Sequence, residues 1–367
     1  MRARDLGIAI GDLEPGPLNA ITDVPGVRVG HTTLVAGDGP LVVGEGPIRT
    51  GVTVILPHEG DTGSEPVFAG SHTLNGNGEM TGLEWVRESG MLTTPIGLTN
   101  THSVGVVRDA LVAASVRAGA MGLWSLPVVG ETWDGYLNDI NGQHVRPEHV
   151  FAALEAAVGG AVAEGNVGGG TGMKAYGFKA GIGTASRRVA SDHGGYTVGV
   201  LVQANHGRRE RLLIAGVPVG REIPRSKIPG PDVAAPDAGS IIAVVATDAP
   251  LLPHQCRRVA ERAGLGMART GGGADHSSGD IFIAFATGNR GLRVGKRDDS
   301  PRTFALSMLN DDQISELFWA TIEATEEAII NSLIAAQTMV GRDGITFHAL
   351  PHDQLREAMR RYGRLPA

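Results

Sequence analysis

Apolar and polar positions change period several times along this chain, and each change marks an element. Residues 24–35 and 50–56 are rich in β-branched side chains and read as strands. The stretch Gly60–Gly78 is polar and glycine-rich and reads as a loop, followed by a short helix over Thr81–Glu88. Pro95–Thr99 is a brief strand, and Thr101 or Ser103 can cap a helix running to Arg117. Leu126–Glu131 reads as strand, and Pro147 opens a helix through Ala157. Tyr196–Ala204 and Arg211–Val217 follow as two closely spaced strands. Ser240–Thr247 is an almost unbroken apolar run, the pattern of a strand covered on both faces. Asp248, with Pro250 behind it, then predicts a helix with Leu251, Leu252, Cys256, Val259 and Ala263 on its apolar side. Asp280–Ala286 and Phe304–Met308 read as strands, Asp311–Ala336 as one long helix, and Pro351–Arg360 as an amphipathic helix with a basic end.

Strands come in antiparallel-looking groups separated by helices. This predicts an α+β fold, a four-layer α/β/β/α sandwich built as a single domain over residues 1–367, rather than a doubly wound parallel sheet. With 42% hydrophobic residues, such a chain has material for a large core. Its 54 glycines are scattered without a period, which excludes a collagen-like repeat and fits many tight turns. Glycine is densest between Gly165 and Gly183, yet the sequel reads as strand and no lysine stands in phosphate-loop position, so a dinucleotide site is not expected.

Charge and special residues narrow the function. The net charge of −7 and the lack of a basic run argue against nucleic acid as partner. The single cysteine, Cys256, forms no internal disulfide and reads as a core thiol. Without a long apolar segment, neither a signal peptide nor a membrane span is expected, and a cytoplasmic protein follows as the default. The 12 histidines include no His-Glu-x-x-His, and His72, His102 and His206 read as hydrogen-bonding loop residues. No metal or other cofactor is therefore expected.

One junction stands out. The segment 223–239 carries Pro224, Pro229, Pro231 and Pro236 and ends in Asp237-Ala238-Gly239, directly before the strand that opens with Ser240. Read plainly, it is a loop entering a core strand. Cut between Gly239 and Ser240, it would give Ser240 a free α-amine beside its hydroxyl, a known way to activate a weak nucleophile. Glycine on the carbonyl side would allow a strained backbone without a Cβ clash.

The segments Thr99-Asn-Thr-His-Ser-Val-Gly, Gly130-Glu-Thr-Trp-Asp-Gly-Tyr-Leu-Asn-Asp, Tyr176-Gly-Phe-Lys-Ala-Gly-Ile-Gly-Thr-Ala-Ser-Arg, Val202-Gln-Ala-Asn-His-Gly, Gly239-Ser240 and Ser277-Ser-Gly-Asp-Ile-Phe-Ile-Ala-Phe extend the argument over most of the chain. In this order they resemble the DmpA-type self-processing aminopeptidases, the group of L-aminopeptidase/D-amidase/D-esterases and β-aminopeptidases. The resemblance implies self-cleavage into an α chain (1–239) and a β chain (240–367), with Ser240 as catalytic nucleophile. It implies Asn205 and Tyr136 as oxyanion donors; read alone, Asn205 is equally a turn residue and Tyr136 a core aromatic. Ser278 and Asp280 alternate around Gly279 and in a strand would share a face, so a carboxylate–hydroxyl–amine relay to Ser240 is expected. Ser277 is the alternative to Ser278, and the motif is also readable as a turn into a strand. Members that cleave β-peptides carry Ser-x-Glu here, one methylene longer than Asp280.

Glu131 is the candidate for binding a substrate ammonium, with an exposed structural glutamate as the other reading. The implied substrate is a small peptide, or an amino acid amide or ester, and the implied assembly is a homotetramer of processed protomers. An acyltransferase of the ornithine acetyltransferase type and a nylon-oligomer-type amidase are the rival enzymes. Both ordinarily place threonine where this chain has Ser240.

Overall fold

The computed structural model describes residues 1–119, 124–231, 239–273, 275–293 and 301–366. In chain order the principal strands are β1 (Arg28–Ala36), β2 (Ile48–Leu56), β3 (Val67–Gly76), β4 (Met91–Leu92), β5 (Ile96–Asn100) and β6 (Val128–Thr132). A small hairpin, β7 (Lys174–Ala175) and β8 (Phe178–Lys179), leads to β9 (Ile182–Arg188), β10 (Thr197–Asn205), β11 (Ser240–Thr247) and β12 (Gly279–Ala286). The helices are α1 (Leu83–Ser89), α2 (Val104–Arg117), α3 (Pro147–Glu155), the single turn α4 (Val219–Glu222), α5 (Pro253–Arg269), α6 (Ser315–Ile334) and α7 (His352–Arg361).

Two mixed sheets stack face to face. One has the order β1-β2-β5-β6, the other β4-β3-β12-β11-β10-β9. Side-chain alternation along β11 explains why they stack. Ile242, Val244 and Ala246 point between the sheets and meet Ile55, Leu98 and Val128. Ile241, Ala243 and Val245 point the other way, into a core shared with Val259, Ala263, Ala324 and Ala328 of α5 and α6. On the far side α2 and α3 close over Val52 and Val54 of β2. The result is the α/β/β/α sandwich expected from the sequence, with β11 buried along its whole length. β11 runs parallel to β12 and β5 parallel to β6; the other sheet pairings are antiparallel.

Four local expectations are corrected. The presumed loop 60–78 contains β3, whose N-terminal half is buried and whose C-terminal half emerges into solvent. Arg211–Val217 is not a strand but a short turn followed by a single bridge between Ile214 and Val217. Phe304–Met308 has strand-like alternation but no strand pairing, and Phe304, Leu306 and Met308 remain exposed. Helix α5 starts at Pro253 rather than near Asp248, because the Asp248 carboxylate accepts the Thr197 N–H at 2.7 Å instead of capping a helix. Cys256 lies fully buried on α5 with its thiol pKa pushed up by desolvation, consistent with a core role. No helix among the described residues is long and apolar enough to cross a membrane.

Candidate active site

Ser240 is the first residue of β11, and its position follows from the pairing on both sides. It lies opposite Asn205, the last residue of β10, and beside Gly279, the first residue of β12. The Gly279 N–H is 3.2 Å from Ser240 Oγ and 3.3 Å from the Gly239 carbonyl oxygen, so one donor faces both the hydroxyl and the preceding carbonyl. Gly239 packs closely on the end of β10. A Cβ there would lie 2.6 Å from the Asn205 carbonyl oxygen and from His206 Cα, so backbone proximity alone calls for glycine. Residues 232–238, including Pro236, Asp237 and Ala238 of the expected linker, lie outside the described residues.

Asn205 is buried and its amide orientation is unambiguous. Oδ1 accepts the Lys174 backbone N–H at 3.1 Å, and Nδ2 donates to the Trp133 carbonyl at 2.9 Å. An amide nitrogen carries two hydrogens, so one remains after the Trp133 bond. Tyr136 stands in the same turn as Trp133, its ring edge-on to Trp133 at 4.8 Å and to Phe347 at 5.6 Å, with Lys174 Nζ 5.8 Å from its centroid. His206, beyond Asn205, is fully buried; desolvation pushes its imidazole down to about 3, and Nε2 lies 3.2 Å from the Tyr176 hydroxyl.

Ser278 and Asp280 are brought together. Ser278 Oγ donates to Asp280 Oδ1 at 2.6 Å, and Asn75 Nδ2 donates to Oδ2 at 2.6 Å, so the shorter aspartate still reaches the hydroxyl. Desolvation raises the Asp280 pKa, and those two hydrogen bonds oppose the rise. Ser277 touches the site differently, its carbonyl accepting from Asn77 Nδ2 at 2.8 Å.

Glu131, on β6, is only 3% exposed and is therefore not a surface glutamate. One carboxylate oxygen accepts the Glu79 N–H at 2.8 Å, and the other accepts the Thr101 hydroxyl. Burial raises its pKa against those two bonds. Its link to Ser240 runs through Gly78: a Cβ there would sit 3.0 Å from Gly279 Cα and 3.3 Å from Glu131 Oε1.

Asn75 and the anchoring role of Thr101 were missed at the level of sequence. Asn75 lies in a stretch whose composition reads as loop, and Thr101 reads only as a helix cap, although it stands in the Thr99–Gly105 motif. Among the described residues no group of three or more His, Cys, Asp or Glu side chains is arranged to hold a metal ion.

Comparison with known proteins gives the family. A family model described as peptidase family S58 matches residues 19–347. This chain belongs to peptidase family S58. It is a peptide-bond hydrolase of the aminopeptidase type, with the sandwich of the DmpA-type aminopeptidases. Among S58 relatives, the beta-peptidyl aminopeptidase BapA of Sphingosinicella microcystinivorans is 50% identical, over 100% of this chain and 93% of its own. A solved β-aminopeptidase from Burkholderia sp. is 55% identical, with a TM-score of 0.92 and full coverage of both chains. The L-aminopeptidase D-Ala-esterase/amidase of Ochrobactrum anthropi, described as a prototype serine aminopeptidase and a variant of the Ntn hydrolase fold, is 44% identical. Its TM-score is 0.89, over 100% of this chain and 99% of its own.

Proposed function

We propose that this S58 peptidase is a self-processing serine aminopeptidase that removes N-terminal residues from short peptides and hydrolyses amino acid amides and esters. The relatives make N-terminal β-amino acid residues candidate substrates alongside α-residues. The carrying observation is the placement of Ser240 at the mouth of a central strand, flanked by Asn205 and by the Gly279 N–H.

In processing, Ser240 Oγ attacks the Gly239 carbonyl carbon, the C–N bond breaks, and the hydroxyl proton passes to the released Ser240 nitrogen. Water then hydrolyses the resulting ester, leaving a Gly239 carboxylate and restoring the Ser240 hydroxyl. In the mature enzyme the α-amine, with a reference pKa of roughly 8, accepts the hydroxyl proton as Oγ attacks the substrate carbonyl. The amine then returns that proton to the leaving amine, and water releases the acyl group. Asn205 Nδ2 and the Tyr136 hydroxyl stabilise the oxyanion. Ser278 donates to Asp280, which leaves its oxygen free to accept an N–H of the Ser240 amine; the amine lone pair then faces Oγ. Glu131 pairs with the substrate ammonium. The processed protomers assemble as a homotetramer.

Denaturing electrophoresis with N-terminal sequencing tests the proposal. Two fragments of about two-thirds and one-third of the chain are expected, the smaller beginning Ser-Ile-Ile-Ala. An intact chain with full activity would overturn the α-amine mechanism. Gly239→Ala should slow the cleavage at least about tenfold, because the new Cβ displaces the junction from its reacting geometry. A time course of fragment appearance measures this.

The raised carboxyl pKa values give the pH dependence a sign. Glu131 and Asp280 work ionised, and burial makes each take up its proton at a higher pH than an ordinary carboxylate. The contribution of these two carboxylates is therefore complete above those raised values and is lost as pH falls through them, while the α-amine sets a separate limb near its own pKa. The acid limb of kcat/KM should lie above the reference carboxylate values of about 4. Glu131→Gln should raise KM roughly 10- to 100-fold, the cost of losing a charged hydrogen-bond partner, with a smaller effect on kcat. An unchanged KM would remove Glu131 from substrate binding.

A further inference from the structure

Lys179 is fully buried, and no carboxylate among the described residues lies within ion-pair distance of it. Desolvation holds its pKa well below the ordinary lysine range, against the opposing pull of the Asp134 charge, and a buried amino group is costly unless its donors are satisfied. Nζ meets the carbonyl oxygens of Ala180 at 2.6 Å, Met173 at 2.7 Å and Gly170 at 3.5 Å. These carbonyls border a run, Gly168-Gly169-Gly170-Thr171-Gly172, that has almost no side chains of its own to hold it in place.

The Met173 carbonyl belongs to the same planar peptide unit as the Lys174 N–H, and in a trans peptide the two groups point in opposite directions. The carbonyl end of that unit is held by Lys179 Nζ, while the N–H end donates to Asn205 Oδ1 at 3.1 Å. The hairpin enforces the arrangement, because Lys174 and Lys179 are cross-strand partners and its turn residues, Tyr176 and Gly177, have φ of 51° and 69°. One rigid peptide thus couples the buried Lys179 amino group to the Asn205 side chain.

We infer that Lys179 is a positioning residue for the oxyanion donor, holding the Met173–Lys174 peptide so that its N–H locks the Asn205 amide with Nδ2 toward the substrate. The inference rests on the reading of Asn205 as an oxyanion donor. The Ala180 N–H also reaches the Met173 oxygen, at 3.2 Å, so losing the lysine loosens the peptide without releasing it.

The test is a double-mutant cycle of Lys179→Met and Asn205→Ala, with kcat and KM determined per mole of processed enzyme. Lys179→Met should lower kcat roughly 10- to 100-fold, as expected for a small misplacement of a reacting group, while KM stays close to wild type. In the Asn205→Ala background the same change should have no further effect. Lys179→Gln, which retains N–H donors, should recover part of the loss. A folded Lys179→Met enzyme with wild-type kcat, or losses that multiply in the double mutant, would overturn the inference. Should Lys179→Met not fold by circular dichroism, the cycle is run with Lys179→Gln; if neither folds, Lys179 serves the fold and the inference falls. Wild-type kcat in Asn205→Ala would instead remove the oxyanion reading itself.

Discussion

Ser240→Ala is expected to leave one uncut chain whose kcat is down roughly 10⁶-fold, the scale seen when the nucleophile of a serine hydrolase is removed. In the proposed mechanism both losses have one cause, because the same Oγ opens the Gly239–Ser240 bond and later carries the acyl group. The fold should survive. The lost oxygen accepts one hydrogen bond, from Gly279 N–H at 3.2 Å, worth about 1 kcal/mol net. Circular dichroism should therefore match wild type while the gel shows a single band. An uncut variant that kept its activity would remove Ser240 from catalysis, and a cleaved but inactive one would separate processing from turnover.

The legibility of this molecule in its sequence follows the range of the interactions involved. β11 is readable because it is covered on both faces and is apolar throughout, and the residue that opens it is the proposed nucleophile. β3 is hidden because half of it is solvent-facing and Gly70 interrupts its apolar pattern. That glycine is there for a tertiary reason: a Cβ would lie 2.3 Å from the Arg257 nitrogen, where α5 crosses the sheet. The same blindness conceals Asn75, whose bond to Asp280 joins residues 205 positions apart. Phe304–Met308 fails in the opposite sense, since alternation alone does not supply a neighbouring strand. Within the site, the Ser278–Asp280 pair follows from local spacing. The burial of Glu131 does not, because it depends on Glu79 and Thr101 arriving from two other segments.

Asn205→Ala should lower kcat roughly 10²- to 10³-fold, the usual cost of losing one preorganised oxyanion donor. KM should change far less, because the bond strengthens as charge develops on the carbonyl oxygen and contributes little to the ground state. The geometry supports a donor that needs no reorganisation. Oδ1 and one Nδ2 hydrogen are each committed to backbone groups, so the amide cannot flip, and the remaining hydrogen has a fixed direction. Asn205→Asp should be at least as damaging although it keeps the shape. A carboxylate would oppose the Trp133 carbonyl and set a negative charge beside the developing oxyanion. Any tolerance of aspartate should therefore appear at low pH, where the new carboxyl is protonated and can donate. A kcat–pH profile of Asn205→Asp that shows no gain toward acid relative to wild type, together with near-normal turnover in Asn205→Ala, would move the oxyanion contact from Asn205 to Tyr136.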